Sequence, residues 1–316
     1  MKLGIDIGGT SIKFGVVSPG KPISDYRKYY THEFTKDKDF TQHILEVVGD
    51  YLETHKNIEG IGIGVPGLLS QDKRTILSMP NIPGIIELNI VEAISNRFEG
   101  TPVLAENDAN CAALGEYYYG KRKEWDNFLL MTLGTGIGSG AVMNGELFNG
   151  GRGNGMEAGH ILIGRSFTLE QQIGKQGIIN YVHENLKKLR FRRSPLKEKS
   201  AITPSVVFEA AQNEDTLALS TFNYVGQKLG QALVTIIRIT DVTNILIGGG
   251  VAGAFDYFAP TLLNVLEENL PDYYLKDIVV EKATLGEQAG VLGAASLLSA
   301  NRLKALSKKE KKTVKS

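Results

Sequence analysis

The chain carries one cysteine, Cys111, in 316 residues. Neither a disulfide framework nor a cysteine-rich zinc site can be built from one thiol. An excess of charge is missing too: 35 Lys and Arg stand against 35 Asp and Glu. A zero balance gives no electrostatic reason to expect nucleic acid or a membrane as the main partner. The opening MKLGIDIGG is too short and too rich in glycine for a signal peptide or a membrane span. A cytoplasmic location is the default expectation. No G-x-x-x-x-G-K-[ST] occurs, so no nucleotide site here is a P-loop.

Glycine is abundant, with 36 residues. Many turns must therefore need φ > 0 or let a ligand approach the backbone closely. The apolar share of 42% suits a globular chain, and its length suits two lobes. Lys2–Ile7 reads as a strand, Gly8-Gly9-Thr10 as a turn and residues 12–17 as a second strand. Phe40, Ile44, Leu45, Val48 and Leu52 recur at helical spacing. Residues 60–65 read as a buried strand ending in Pro66-Gly67, 89–98 as a helix and 101–105 as a strand. A helix then starts at Asp108, with Asn107 or Asp108 near its N-cap.

At 121–127 the composition turns charged and the pattern breaks. This sets an expected N-terminal lobe at 1–120 and a C-terminal lobe at 121–285. A last helix at 286–300 packs back on the first lobe, and 301–316 forms a flexible basic tail. Phe128–Leu133, the turn Gly134-Thr135-Gly136 and Ile137–Met143 repeat the N-terminal layout of strand, Gly/Thr turn, strand. A long helix at 216–239 follows, then a strand at 244–247, Gly248-Gly249-Gly250, a helix, a strand at 278–281 and the last helix. Strands alternating with helices predict an α/β fold with mixed sheets. The basic run at 187–199 reads as an exposed helix end and loop.

The two Gly/Thr turns open backbone N–H groups toward a ligand, which suits phosphate oxygens. Asp6 lies in an apolar strand, where a lone carboxylate is costly. Either it finds a local hydrogen-bond partner or it holds Mg²⁺, directly or through water. Thr10 and Lys13 add a hydroxyl and a cation; Lys13 reads equally as a solvated lysine or a phosphate contact. Gly248 to Gly253 matches G-x-G-x-x-G after a strand, but too little chain remains for a dinucleotide domain. Asn107-Asp108 reads as a helix cap or as a site where a carboxylate accepts the proton of a hydroxyl during phosphoryl transfer. Glu157 and His160 are three apart and share a face of any helical turn, which serves a surface contact as well as a site.

The ordered set DIGGTSIK (6–13), GIGVPG (62–67), ENDANCAALGE (106–116), TLGTGIGSG (132–140), MEAGH (156–160) and ILIGGGVAG (245–253) resembles the ROK family of sugar kinases and repressors. The resemblance runs from Met1 to about Leu298. It implies a two-lobed actin-like, hexokinase-like (ribonuclease H-like) α/β fold, with ATP and Mg²⁺ as cofactors and a sugar as substrate, and a homodimer. By resemblance Asp6 is the residue near Mg²⁺, and Gly8, Gly9, Thr10 and Lys13 form the first phosphate turn. Thr132, Thr135 and Gly136 form the second, and Gly249 and Gly250 lie on the adenosine side. Asp108 matches the catalytic base. Asn107, Glu157, His160 and Glu170 match the sugar-binding set, with Gly67 and Asn81 as further sugar-side candidates. The implied activity is ATP-dependent phosphorylation of a hexose at C6, glucokinase first. N-acetylmannosamine, N-acetylglucosamine, fructose or allose are alternative acceptors, and a non-catalytic sugar-binding regulator is the alternative class. Two departures stand out. Family members carry a zinc loop with a C-x-C-G-x-x-G-C core between the His and the Glu, whereas only ILIGRSFTL separates His160 from Glu170. Zinc takes about four ligands, commonly Cys and His, so no structural zinc is expected. The helix-turn-helix of the family's repressors is absent before the first phosphate strand, so no nucleic-acid partner is expected.

Overall fold

The computed structural model describes residues 1–36, 39–80, 82, 85–164 and 166–299. Asn81 and the basic segment 301–316 lie outside the described residues. The chain divides into two compact units. The first comprises Met1–Asp126, Gly145–Met156 and the segment from Glu287 onward; the second comprises Asn127–Asn144 and Glu157–Gly286.

The first unit is built on β1 (Lys2–Ile7), β2 (Ser11–Val17), β3 (Ser24–Tyr30), β4 (Ile61–Val65) and β5 (Val103–Asn107). Their order in the sheet is β3-β2-β1-β4-β5. β1 pairs antiparallel with β2 and parallel with β4, and β4 runs parallel to β5. β1 and β4 are central and almost wholly apolar, as strands covered on both faces must be. Helix Phe40–Thr54 starts where Asp39 accepts the N–H of Thr41, and it buries Phe40, Ile44, Val48 and Tyr51. Leu68–Leu69, Ile76–Ser78 and Ile86–Leu88 form a small antiparallel sheet.

The other face is closed by helix Ala289–Ser296, sequence AGVLGAAS, with all eight residues buried. Burying Val291 and Leu292 contributes roughly 1.5–3 kcal/mol each. Small residues let this helix approach its neighbours backbone to backbone. A side chain on Gly293 would run into the carbonyl of Cys111, and one on Gly62 into that of Ala294.

The second unit contains β6 (Phe128–Leu133), β7 (Ile137–Met143), β8 (Asn244–Gly248) and β9 (Val279–Lys282), in the order β7-β6-β8-β9. β6 pairs antiparallel with β7 and parallel with β8, which is parallel to β9. The run antiparallel, parallel, parallel repeats β2-β1-β4-β5 of the first unit, so the repeated Gly/Thr layout extends to sheet topology. Helix Thr216–Thr240 is capped by Asp215, which accepts the N–H of Ala218, and it ends at Asp241 in the left-handed conformation. The basic run 187–199 forms two short 3-10 turns that bury Phe191, Ser194 and Leu196 and leave its Lys and Arg residues exposed.

Candidate active site

In the first unit the sequence places an Asn and an Asp where β5 becomes helix Asp108–Tyr119. Asn107 is the N-cap. Its Oδ1 accepts the N–H groups of Ala109 at 2.9 Å and Asn110 at 3.2 Å, two donors a helix start otherwise leaves unpaired. Its Nδ2 donates to the carbonyl of Gly67 at 3.3 Å. Gly67 has φ of 114°, and a side chain there would run into the Ser78 carbonyl, so glycine is required. The next residue, Asp108, is half-buried, and its Oδ1 accepts the N–H of Ala109 at 2.8 Å. Of the two residues, Asn107 is the one that caps the helix. Asp108 presents a carboxylate from a rigid strand-to-helix junction.

Directly beneath lies Glu106, only 1% exposed. Its Oε1 accepts from Lys73 Nζ at 2.7 Å, Asn107 N at 2.9 Å and Asn110 Nδ2 at 3.2 Å. Sequence reasoning missed both Glu106 and Lys73. The available signal was the one used for Asp6: a carboxylate inside an apolar strand needs a partner.

Asp6 is 8% exposed, and it has that partner in Lys13, whose Nζ donates to Asp6 Oδ2 at 2.9 Å. The pair follows from the hairpin register, which sets Asp6 opposite Lys13. Burial pushes the Lys13 pKa down, but the charge of Asp6 and the hydrogen bond to it outweigh burial, and the net shift is upward. The turn between the two strands is closed by Gly8 N–H donating to Ser11 O at 3.0 Å, and Thr31 Oγ1 braces it by donating to Gly8 O at 2.6 Å. Gly9 and Thr10 stand exposed at its tip.

In the second unit the turn after β6 is closed by Gly134 N–H donating to Gly136 O at 2.9 Å, with Thr135 exposed. Glu170 lies against it: its Oε2 accepts the N–H of Ile137 at 2.7 Å, and a side chain on Gly136 would collide with the same carboxylate. Glu170 is delivered by the short helix Leu169–Ile173, whose N-cap Thr168 forms a capping box with Gln171. Gly249, at φ of 82°, presses against the backbone of Leu133, and Thr132 pairs with Gly248. The second turn, Glu170 and the Gly249-Gly250 turn are therefore one assembly. Separately, Glu157 precedes the 3-10 turn Ala158–His160 and His160 ends it, with Nδ1 of His160 3.3 Å from Oε2 of Glu157. Ala158 N–H donates to Ser139 Oγ at 3.0 Å, which ties this turn to β7.

Among the described residues no group of three or more His, Cys, Asp and Glu is arranged to hold a metal ion. Mg²⁺ needs fewer protein ligands, because it keeps several waters and takes the rest from phosphate oxygens. Asp6 would supply one hard oxygen ligand beside the first Gly/Thr turn, which fits that donor set. No helix among the described residues is long and apolar enough to cross a membrane.

The chain is 31% identical to a glucokinase of Halalkalibacterium halodurans over 316 residues, covering 94% of each chain. It is 33% identical to a beta-glucoside kinase of Listeria monocytogenes over 302 residues, covering 92% of this chain and 94% of that one. Among solved structures, it superposes with a TM-score of 0.79 on a ROK family glucokinase from Streptomyces griseus in complex with glucose and AMPPNP. That protein is 28% identical, with 94% of this chain and 98% of the other covered. The mixed-sheet α/β fold is thus that of the actin-like, hexokinase-type sugar kinases. The ROK family matches residues 2–301, essentially everything described here, and the chain belongs to that family.

Proposed function

We propose that this protein is an ATP-dependent hexose kinase that phosphorylates glucose at its C6 hydroxyl, with Asp108 as the base. The observation that carries this reading is the junction at Asn107-Asp108. A half-buried carboxylate is held by the first helical turn while its neighbour does the capping. Such a carboxylate accepts the proton of the attacking hydroxyl as transfer begins. Asn107 and Gly67 line the same junction and take the sugar side, with Asn81 as a further candidate.

In the second unit the exposed pair Glu157 and His160 offers an acceptor and a ring nitrogen to sugar hydroxyls. The N–H groups around Gly9 and Thr10, and around Thr135 and Gly136, suit phosphate oxygens; Lys13 and Thr132 flank them. Gly249 and Gly250 take the adenosine side; Gly250 has open space where a side chain would stand, while Gly249 packs on the Leu133 backbone. Preorganised donors of this kind stabilise charge on the transferring group. Mg²⁺, where bound, neutralises charge on the phosphates, and Asp6 is the residue that would hold it, directly or through water. ATP as donor goes with work in the cytoplasm. The family resemblance adds a homodimer, which a molar-mass measurement by light scattering would test.

Coupled ADP detection over a panel of glucose, beta-glucosides, N-acetylmannosamine, N-acetylglucosamine, fructose and allose decides the acceptor. The Listeria relative makes beta-glucosides the first rival. Asp108→Asn should lower kcat by about 10²–10⁴-fold while sugar KM and folding hold. Near parental turnover in that variant would remove Asp108 as the base.

A further inference from the structure

We infer that Lys73 is a positioning residue for the reaction, fixing the Asn107-Asp108 junction through Glu106 and tying it to the loop 149–155. The inference rests on the kinase reading for its consequence, though not for its geometry. Every residue in it belongs to the first unit.

Glu106 is a buried carboxylate whose charge must be compensated where it stands. Three donors converge on one of its oxygens: the Lys73 ammonium, the backbone N–H of Asn107 and the amide of Asn110. Of these three, Lys73 is the one that brings a positive charge. Asn110 shows how firmly the arrangement is held. It is buried at 2% exposure, and its Oδ1 meets no donor among the described residues, so its place is justified by what its Nδ2 gives Glu106. Through Asn107 N, Glu106 then sets the residue that caps the helix and immediately precedes Asp108.

Lys73 is itself held in an unusual way. It occupies the turn between Leu68–Leu69 and Ile76–Ser78 with φ of 61°, a left-handed conformation that a lysine adopts only under local constraint. Its Nζ also donates to the carbonyl of Gly153. One residue on, Asn154 makes a reciprocal pair with Leu69: Nδ2 donates to Leu69 O at 2.8 Å and Oδ1 accepts Leu69 N–H at 3.3 Å. The loop 149–155 is thus docked on the small sheet at two adjacent points, and one of them is the cation that neutralises Glu106. A shift of this loop is felt at Lys73, and a change at Lys73 is felt at the backbone N–H that precedes Asp108.

The test compares parent, Lys73→Met, Glu106→Gln and the double variant. Hydrogen exchange over 103–112 and 149–155 is measured along with kcat, KM for ATP and sugar, and the pH profile of kcat. Lys73→Met should speed exchange in both segments and lower kcat about tenfold or more. It should displace the pH profile and leave KM for ATP within about twofold. The double variant removes both charges of the pair, and it should recover most of the exchange protection and part of kcat, so that the two substitutions are strongly non-additive. A Lys73→Met protein with kcat and pH profile within about twofold of parent overturns the inference, whatever its melting temperature. So does faster exchange in 103–112 with none in 149–155. A folded parent that consumes no ATP with any sugar sinks the kinase reading instead, and the exchange data then decide the coupling alone.

Discussion

Glu170 accepts the backbone N–H of Ile137 at 2.7 Å, so a carboxylate 33 residues downstream braces the turn that follows β6. The same carboxylate fills the space that a side chain on Gly136 would need. Its first task is to shape the second Gly/Thr turn, the one proposed to hold phosphate, and any contact with sugar comes in addition to that.

Glu170→Ala should therefore raise KM for ATP by about tenfold, in line with losing a hydrogen bond to a charged acceptor. KM for sugar should rise less. Steady-state kinetics with each substrate varied in turn will check this, and a rise confined to the sugar would contradict the bracing role.

Lys13→Met leaves the Asp6 carboxylate buried without its cation. Breaking one side of a buried pair costs about 3 kcal/mol, which a urea unfolding midpoint will register. The variant Lys13→Met/Asp6→Asn should regain most of the stability without regaining turnover, because the second substitution removes the candidate Mg²⁺ residue. Since the folded Lys13 pKa is raised, the pair stabilises fully below the unfolded value near 10.4 and is lost as pH climbs through the folded one.

Asp25 gives the acid-side counterpart. Hydrogen bonds from Arg27 hold its carboxyl below the ordinary range; burial works the other way and is outweighed, and His55 adds a further bond at 2.9 Å. A carboxylate with a depressed folded pKa stabilises above the unfolded value of about 4, and its contribution drains as pH falls through the folded value. Asp25→Asn should thus be less stable than parent at pH 6, with the gap narrowing progressively as pH falls below about 4. A gap independent of pH in chemical unfolding curves would show that its charge is not what matters.

Gly293→Val would drive a side chain into the backbone of Cys111, where neither partner is a movable side-chain end. Overpacking of this kind costs about 1–3 kcal/mol or more. Gly151→Ala, at a position with open space around it, is the matched control and should be nearly neutral. Equal melting temperatures for the two variants would refute the close-packing account of helix Ala289–Ser296.

Much of this protein was legible in its sequence wherever the physics is local. Asn107 or Asp108 reads as the cap because a short polar side chain there reaches the N–H groups two and three residues ahead, and the structure gives both bonds to Asn107. The strands Phe128–Leu133 and Ile137–Met143 have the expected bounds, since a continuous apolar run broken by Gly-Thr-Gly leaves few alternatives. Asp6 was recognisable as a carboxylate needing a partner. That Lys13 is the partner depended on hairpin register, which the residues flanking a short turn only partly specify. Glu106 had the same apolar surroundings without being singled out, because its cation arrives from Lys73, 33 residues away in a turn of the small sheet.

By itself the sequence determined the α/β alternation, the two Gly/Thr turns, the Asn107-Asp108 junction and membership of a sugar-kinase family. All of these rest on neighbours along the chain or on ordered motifs. Tertiary structure alone decided what faces each charged group: Lys13 opposite Asp6, Lys73 beneath Asn107 by way of Glu106, and Glu170 on Ile137. A buried carboxylate must find a donor, which is a rule about chemistry. Which donor it finds is set by sheet register and loop docking, and those are properties of the packed chain.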